Sequence, residues 1–574
     1  MLELTMARTL KLALTLSAPL LLWACDTVET PGTDAGTNPS CELPALATCT
    51  DPSCQATTGT KTYAHGAVAA GAPAVAVTWT TSEVYAAADT RTLYYRLETP
   101  GALTGPRQPP RLSRPLDPAL AEVLESPTHV AQLEIARRLR EITKKGPVER
   151  GELAGTAIRA VDLLPPGVKK QQQVCTAGDA TICGDTALCV VPEGMSSGMC
   201  SSTLTVKFYG MGPAATDVTA NVVKVGRKGA IIVDQADAAS LSAADAAELI
   251  KRFDEHIAPR DHQLFGEPLV NGKDRDGNGV VVFFVTKRVG RLLPNLVGYF
   301  FPDDLRPTAE VTHSNAADLL YLEPPGATVS LDALSGTIAH EYQHLINFTA
   351  KVLVNGSDQE EVWLDEGLAT FAEDISGYGV DAFANIGKYL TVVGSTSLTG
   401  SDSNETRGIA HLFVRYLYEQ AGGAELGAMG GGTDKGGVAA VKAMVQTSKT
   451  GMDALLAGAK GKDLPTLFGD VMTLVAVDNS SNSALSCSAR YSLAAPQTDA
   501  YTGGQRGLRL RGSIPGKSGN ITLTGPSLSA LGDESLVPLN GGEVVELTQA
   551  AAERKFSVGA EVDNQVGLRI LGKP

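Results

Sequence analysis

The apolar positions of this 574-residue chain follow two periods. Ala74 to Thr81 and Thr92 to Leu97 are stretches of interleaved Val, Thr, Tyr and Leu, which read as strands. From Pro118 to Thr143, Leu120, Val123, Leu124, Val130, Leu133, Ile135 and Leu139 supply one apolar face and predict a helix. Leu204 to Tyr209 and Gly229 to Val233 read as short strands, and Ala243 to His256 as an amphipathic helix. Val280 to Thr286 is an apolar strand, whereas Ile338, Leu345, Ile346 and Phe348 trace a helical stripe. Two further helical stretches run from Trp363 to Asp374 and from Leu412 to Tyr418. Residues 490 to 574 return to short strands broken by Gly, Ser and Pro turns, which predicts a terminal β-sandwich. The whole is read as α+β, without a long internal repeat.

At the beginning, Arg8 and Lys11 precede the apolar run Leu12 to Trp23, which has the length of a signal-peptide core and is short for a bilayer span. It ends Leu22-Trp23-Ala24-Cys25, which resembles the lipobox of bacterial lipoproteins; that resemblance implies cleavage before Cys25 and a lipid on its thiol. An ordinary secretory signal followed by a nearby cysteine is the alternative. Both readings export the protein, the first with a membrane anchor at Cys25.

Export changes how the nine cysteines are read. With Cys25 assigned to lipid, Cys41, Cys49, Cys54, Cys175, Cys183, Cys189, Cys200 and Cys487 form an even set in an oxidising compartment, where disulfides are the default. The run from Cys175 to Cys200, rich in glycine, is expected to form a knot with two bridges of its own, and Cys487 to pair with the 41–54 cluster. A zinc knuckle is the rival for residues 175 to 200, but it lacks a Cys-x2-Cys pair. The resulting division is a signal peptide at 1–24, an anchor and tether at 25–54, an accessory or pro-domain at 55–170, the knot at 171–203, a central α+β domain at 204–480 and a β-rich segment at 481–574.

Composition narrows the partners. With 48 Lys plus Arg against 63 Asp plus Glu, the net charge of −15 argues against a general nucleic-acid footprint, and 43% apolar content describes a foldable chain.

The chemistry is concentrated in the middle. Residues 335 to 349 carry His340-Glu341-Tyr-Gln-His344 within the helical stripe. At 3.6 residues per turn the two histidines lie on one face, so their imidazoles can converge on one cation, with Glu341 placed to reach a water bound there. A catalytic zinc needs a third protein ligand and an open position. Glu366, in Trp363-Leu-Asp-Glu-Gly-Leu-Ala, lies 22 residues after His344 in sequence number and is the candidate, while Asp365 beside it could cap that helix.

An H-E-x-x-H helix followed by an E-G-L-A helix resembles the gluzincin metallopeptidases, which use two His and one Glu. The fuller wording, His-Glu-Tyr-Gln-His-Leu-Ile-Asn-Phe and then Trp-Leu-Asp-Glu-Gly-Leu-Ala, is similar to the hyicolysin family of secreted bacterial metallopeptidases. The segments Asp274-Arg-Asp276-Gly-Asn278-Gly, Gly298-Tyr-Phe and Ser314 to Tyr321 extend the resemblance, which covers about residues 205 to 425. It implies a zincin-like catalytic domain, zinc on His340, His344 and Glu366, Glu341 as general base, and protein or peptide substrates. Thr370 stands where the thermolysin group often has an Asp that orients a zinc-bound histidine, which leaves Thr370, Glu373 and Asp374 as candidates for that role. His411, Tyr378 and Tyr416 are candidates for stabilising an oxyanion.

Asp274, Asp276 and Asn278 place oxygen ligands at alternate positions, as a calcium loop begins, but Val285 stands where an EF-hand has its Glu. An irregular calcium site and a plain polar turn both remain open. The sequence as a whole is read as a zinc metalloendopeptidase. Its rivals are a non-catalytic surface lipoprotein with a protease-like fold and a zinc hydrolase acting on a non-peptide amide.

Overall fold

The computed structural model describes residues 62–68, 74–82, 90–98, 117–148, 158–160, 173–176, 178, 182–193, 195–210, 214–327, 329–480, 491–530, 534–547, 554–560 and 565–572. The signal peptide, Cys25, and the cysteines at 41, 49, 54 and 487 lie outside these residues.

A seven-stranded mixed sheet forms the centre, in the order Gly298–Phe300, Leu319–Leu322, Val281–Val285, Gly229–Asp234, Thr216–Val225, Thr203–Phe208 and Arg159–Ala160. The strands Gly229–Asp234, Val281–Val285 and Leu319–Leu322 run parallel, and the edge strand Gly298–Phe300 is antiparallel to its neighbour. Every residue of Gly229–Asp234 is buried, as expected where both faces of a parallel strand are covered. Ile231, Val233 and Phe283 face one core with Leu334, Ile338 and Leu345 of the helix Leu331–Phe348. Ala230, Ile232 and Phe284 face a second core that also holds Ala131, Ile135 and Leu139. The fold is a mixture of helix and sheet, in keeping with the α+β expectation.

The helix expected across Pro118 to Thr143 is two, Pro118–Leu124 and Pro127–Ile142. Pro127 supplies no N–H and disfavours helical backbone at Ser126, which instead caps the second helix through His129 N at 3.4 Å. The amphipathic segment beginning at Ala243 is helical to Arg252 and continues as a π-helical turn, Phe253–Ile257.

The strands near the two ends of the chain share sheets. One four-stranded sheet has the order Thr62–Val68, Arg554–Ala560, Thr90–Glu98 and Glu534–Pro538. The other has Ser529–Ala530, Gly542–Leu547, Ala74–Thr81 and Gln565–Gly572. Thr62 is opposite Ala560 and Val75 opposite Leu571, so the β-rich C-terminal segment is completed by strands from the N-terminal one. Periodicity along the chain identifies each strand but carries no signal for a partner more than 450 residues away, a separation seen again where Thr80 donates to Pro538 O.

The disulfide knot has the two internal bridges expected of it, Cys175–Cys189 and Cys183–Cys200. The same thiols cannot then serve as a zinc knuckle. No helix among the described residues is long and apolar enough to cross a membrane.

Candidate metal centre

Two helices deliver the site. The motif helix, Leu331–Phe348, starts at Ser330, whose hydroxyl accepts from Ala333 N at 3.1 Å, and its apolar stripe fixes its rotation against the central sheet. That rotation places His340 and His344 one turn apart, with ring centroids separated by 4.8 Å. The second helix, Val362–Ile375, carries Glu366. It lies against the helix Asn404–Gln420, where Gly367 allows close approach: a Cβ there would be 2.9 Å from Ala410 Cβ.

His340, His344 and Glu366 each offer a ligand atom, all within 4.8 Å of one another. His340 Nε2 is 3.4 Å from Glu366 Oε2, and His344 Nε2 is 3.9 Å from Glu366 Oε1. The opposite ring nitrogens face carboxylates: His340 Nδ1 is hydrogen-bonded to Glu373 Oε1 at 2.6 Å, and His344 Nδ1 lies 3.0 Å from Asp365 Oδ2 in a charge contact without hydrogen-bond alignment. With a cation bound, a proton kept at Nδ1 would leave each Nε2 lone pair for the metal. Two imidazole nitrogens and one carboxylate, oriented in this way, fit zinc.

Of the three sequence candidates for orienting a histidine of the motif, Glu373 alone reaches one, His340. Thr370 donates to Glu366 O at 2.6 Å, within its own helix. Asp374 points into the core, where it accepts from His411, Arg415 and Gly507 N. Asp365 does not cap its helix: Glu361 is the N-cap, and Asp365 instead accepts from Asn347 Nδ2 at 2.6 Å besides pairing with His344.

Glu341 lies beside the cluster, 7% exposed, and Phe300 N–H of the edge strand donates to its Oε2 at 3.0 Å. Burial raises the Glu341 carboxyl above its usual range, against the pull of His340 and His344. Burial also opposes charge on His340, but hydrogen bonds to Glu366 and Glu373 push it up to about 10. On Glu366, burial is overcome by the Arg407 and Arg140 guanidiniums, which hold it well below the usual carboxylate range.

Those two arginines escaped sequence reasoning. Arg407, on Asn404–Gln420, lies 2.8 Å from Glu366 Oε2. Arg140 reaches Glu366 Oε1 from the last turn of Pro127–Ile142 and pairs with Asp402 at 3.0 Å. This cover helix forms one side of a cavity of roughly 750 Å³ that contains the cluster, with Leu133 and Arg140 on that side and Tyr299, Phe300 and Tyr378 among the other lining residues. Tyr378 is thus in the cleft. His411 is instead in the core beside Asp374, and Tyr416 is buried beneath Lys462.

Asp274 and Asp276 are brought together elsewhere, and Asp318 joins them. Asn278 turns its amide oxygen to Val280 N at 2.8 Å and its amide nitrogen to Asp276, bonds that shape the turn.

The chain is related to a metallopeptidase. The neutral metalloprotease ShpI of Staphylococcus hyicus is 33% identical over 136 residues, which cover 22% of this chain and 30% of that protein. The match thus spans less than a third of the relative's length. No protein-family model matches the chain.

Proposed function

We propose that the chain is an exported zinc metalloendopeptidase of the gluzincin type. The convergence of His340 Nε2, His344 Nε2 and Glu366 beside the buried Glu341 carries this reading. The similarity to ShpI supports peptide bonds as the class of substrate. Acylation of Cys25 or plain secretion belongs to the same proposal.

His340, His344 and Glu366 would hold the zinc, which when bound polarises the scissile carbonyl and acidifies water. Glu341 takes a proton from the attacking water and delivers it to the leaving nitrogen. Its burial beside the ligand cluster suits a group that must accept a proton and then release it. The Phe300 N–H bond fixes the carboxylate while leaving its second oxygen for water. Glu373 and Asp365 orient the two imidazoles. The cover helix occupies one wall of the cleft and ties Arg140 to Glu366, which supports reading that part of the chain as a built-in occluder of the site.

Metal analysis with peptide cleavage by wild type and Glu341→Ala tests the proposal. Equal zinc in both proteins is expected, with cleavage reduced about 10²- to 10⁴-fold in the variant. Stoichiometric zinc without Glu341-dependent cleavage of a broad peptide library would reject it. Extending that library to non-peptide amides separates the rival hydrolase.

A further inference from the structure

At one end of the central sheet, two neighbouring strands begin on acidic residues. The turn from Asp274 to Gly279 leads into Val281–Val285, and Asp318 immediately precedes the parallel strand Leu319–Leu322. Val282 N–H donates to Asp318 O at 2.8 Å, locking the two starts in register. The pairing brings carboxylate oxygens of Asp274, Asp276 and Asp318 within 4.8 Å of one another. Asp276 and Asp318 are each 1% exposed.

Local donors shape this arrangement, and the charge of Arg275 offsets that of Asp276 and Asp318 only in part. Gly279 N donates to Asp274 Oδ2 at 2.7 Å, Asn278 N to Asp276 Oδ1 at 3.2 Å, and Arg275 N to Asp318 Oδ2 at 2.6 Å. Among the described residues, no lysine or arginine forms an ion pair with any of the three carboxylates. The Arg275 side chain is directed to Leu305 O and Glu193. An independent observation is the state of Asp318 Oδ1, which is sealed from solvent and has no hydrogen-bond donor. A buried oxygen left in that state is costly, and two like charges nearby add to the cost. A hard divalent cation removes both penalties, and a set of oxygen donors in an irregular turn suits calcium, which accepts variable geometry, better than magnesium, which demands an octahedron.

We propose that Asp274, Asp276 and Asp318 bind a calcium ion that clamps the turn to the parallel strand pair. The ion is structural. It secures the sheet whose edge strand supplies Phe300 N–H to Glu341, and it uses none of the residues assigned to zinc, so it stands or falls independently of the peptidase reading.

The test uses the full chain. After gel filtration from roughly millimolar CaCl2, elemental analysis is expected to find one calcium per chain in addition to any zinc. Thermal melting in CaCl2 is expected several degrees above that in EGTA. Asp318→Asn and Asp276→Asn should lose the calcium shift yet melt in EGTA no lower than wild type, because each removes one of the repelling charges. Wild type that binds no calcium, an equal shift from MgCl2, or an unchanged calcium shift in Asp318→Asn would each overturn the proposal. If the variants do not fold, the calcium count and the melting shift of the wild type decide it alone.

Discussion

Arg140 and Glu366, 226 positions apart in the sequence, form an ion pair inside the cleft. Arg407 holds the other oxygen of the same carboxylate, so Glu366 is shared by two guanidiniums before any metal is considered. A dication must compete for that charge. Removing Arg140 while leaving Arg407 in place is therefore expected to strengthen zinc binding by roughly tenfold, since a charged hydrogen bond is worth about 1.5 kcal/mol or more. Chelator competition on full-length Arg140→Ala reads this directly, and peptide cleavage should rise with it. Arg140→Lys, which keeps the charge, should stay near wild type. Weaker zinc binding in Arg140→Ala would show that the arginine supports the site.

The carboxylates behind the histidines give a sharper contrast. Glu373→Gln and Asp365→Asn are each expected to lower zinc affinity about 10- to 100-fold, because each removes the carboxylate that stands beside an imidazole Nδ1. Asp374→Asn should behave oppositely. Its carboxylate is fully buried against Arg415 and His411, so its loss is expected to cost about 3 to 5 kcal/mol of stability with little direct effect on the metal. Zinc titration and denaturant unfolding of the three variants separate the roles, and a loss of zinc confined to Asp374→Asn would reverse the assignment.

The motif helix and its neighbour were legible because their chemistry is local. His340 and His344 share a face by helical spacing alone, and Glu366 falls on a predicted helix. The knot was equally local, its two bridges closing within residues 175 to 200. What the sequence concealed is long-range. Arg140 lies off the apolar face that identifies its helix, and nothing in its sequence neighbourhood announces Glu366. Glu373 and Asp374 are adjacent in sequence, yet the helix sends one to His340 and the other into the core. Asp318 could not be read as a partner of Asp274 until the register of two parallel strands was known. The terminal sheets were divided for the same reason, since strand pairing between residues 62–98 and 529–572 leaves no local trace.

Two glycines set the spacing of the helices packed behind the site. A Cβ on Gly408 would lie 2.2 Å from Asn385 O and 2.5 Å from Asn385 C, both backbone atoms of the helix Val380–Thr391. On Gly367 it would meet the backbone of Ala410 at 3.0 Å. Alanine normally stabilises a helix relative to glycine by about 1 kcal/mol, so a loss here would isolate the clash. Gly408→Ala and Gly367→Ala are each expected to be destabilised by about 1 to 3 kcal/mol, read as a lower urea midpoint at constant slope. Gly367→Ala should also weaken zinc binding, because Glu366 precedes it. A gain in stability in either variant would mean that the helices separate freely.

A buried carboxyl predicts how stability should depend on pH. Asp304 accepts from Tyr321 Oη at 2.6 Å and from Asn315 N and Nδ2 at 2.8 and 2.9 Å, yet burial outweighs these bonds and raises its carboxyl from 3.8 to about 7. Between those values the folded chain holds a proton at Asp304 that the unfolded chain has released. Stability from this group is therefore greatest below pH 4, falls as pH rises toward 7, and levels off above it. The span is on the order of 4 kcal/mol. Asp304→Asn keeps the shape of the protonated carboxyl and cannot titrate, so urea unfolding of wild type minus variant should isolate this decline between about pH 4 and pH 7. The same pH slope in both proteins would mean that Asp304 stays ionised, held by its three donors in spite of its burial.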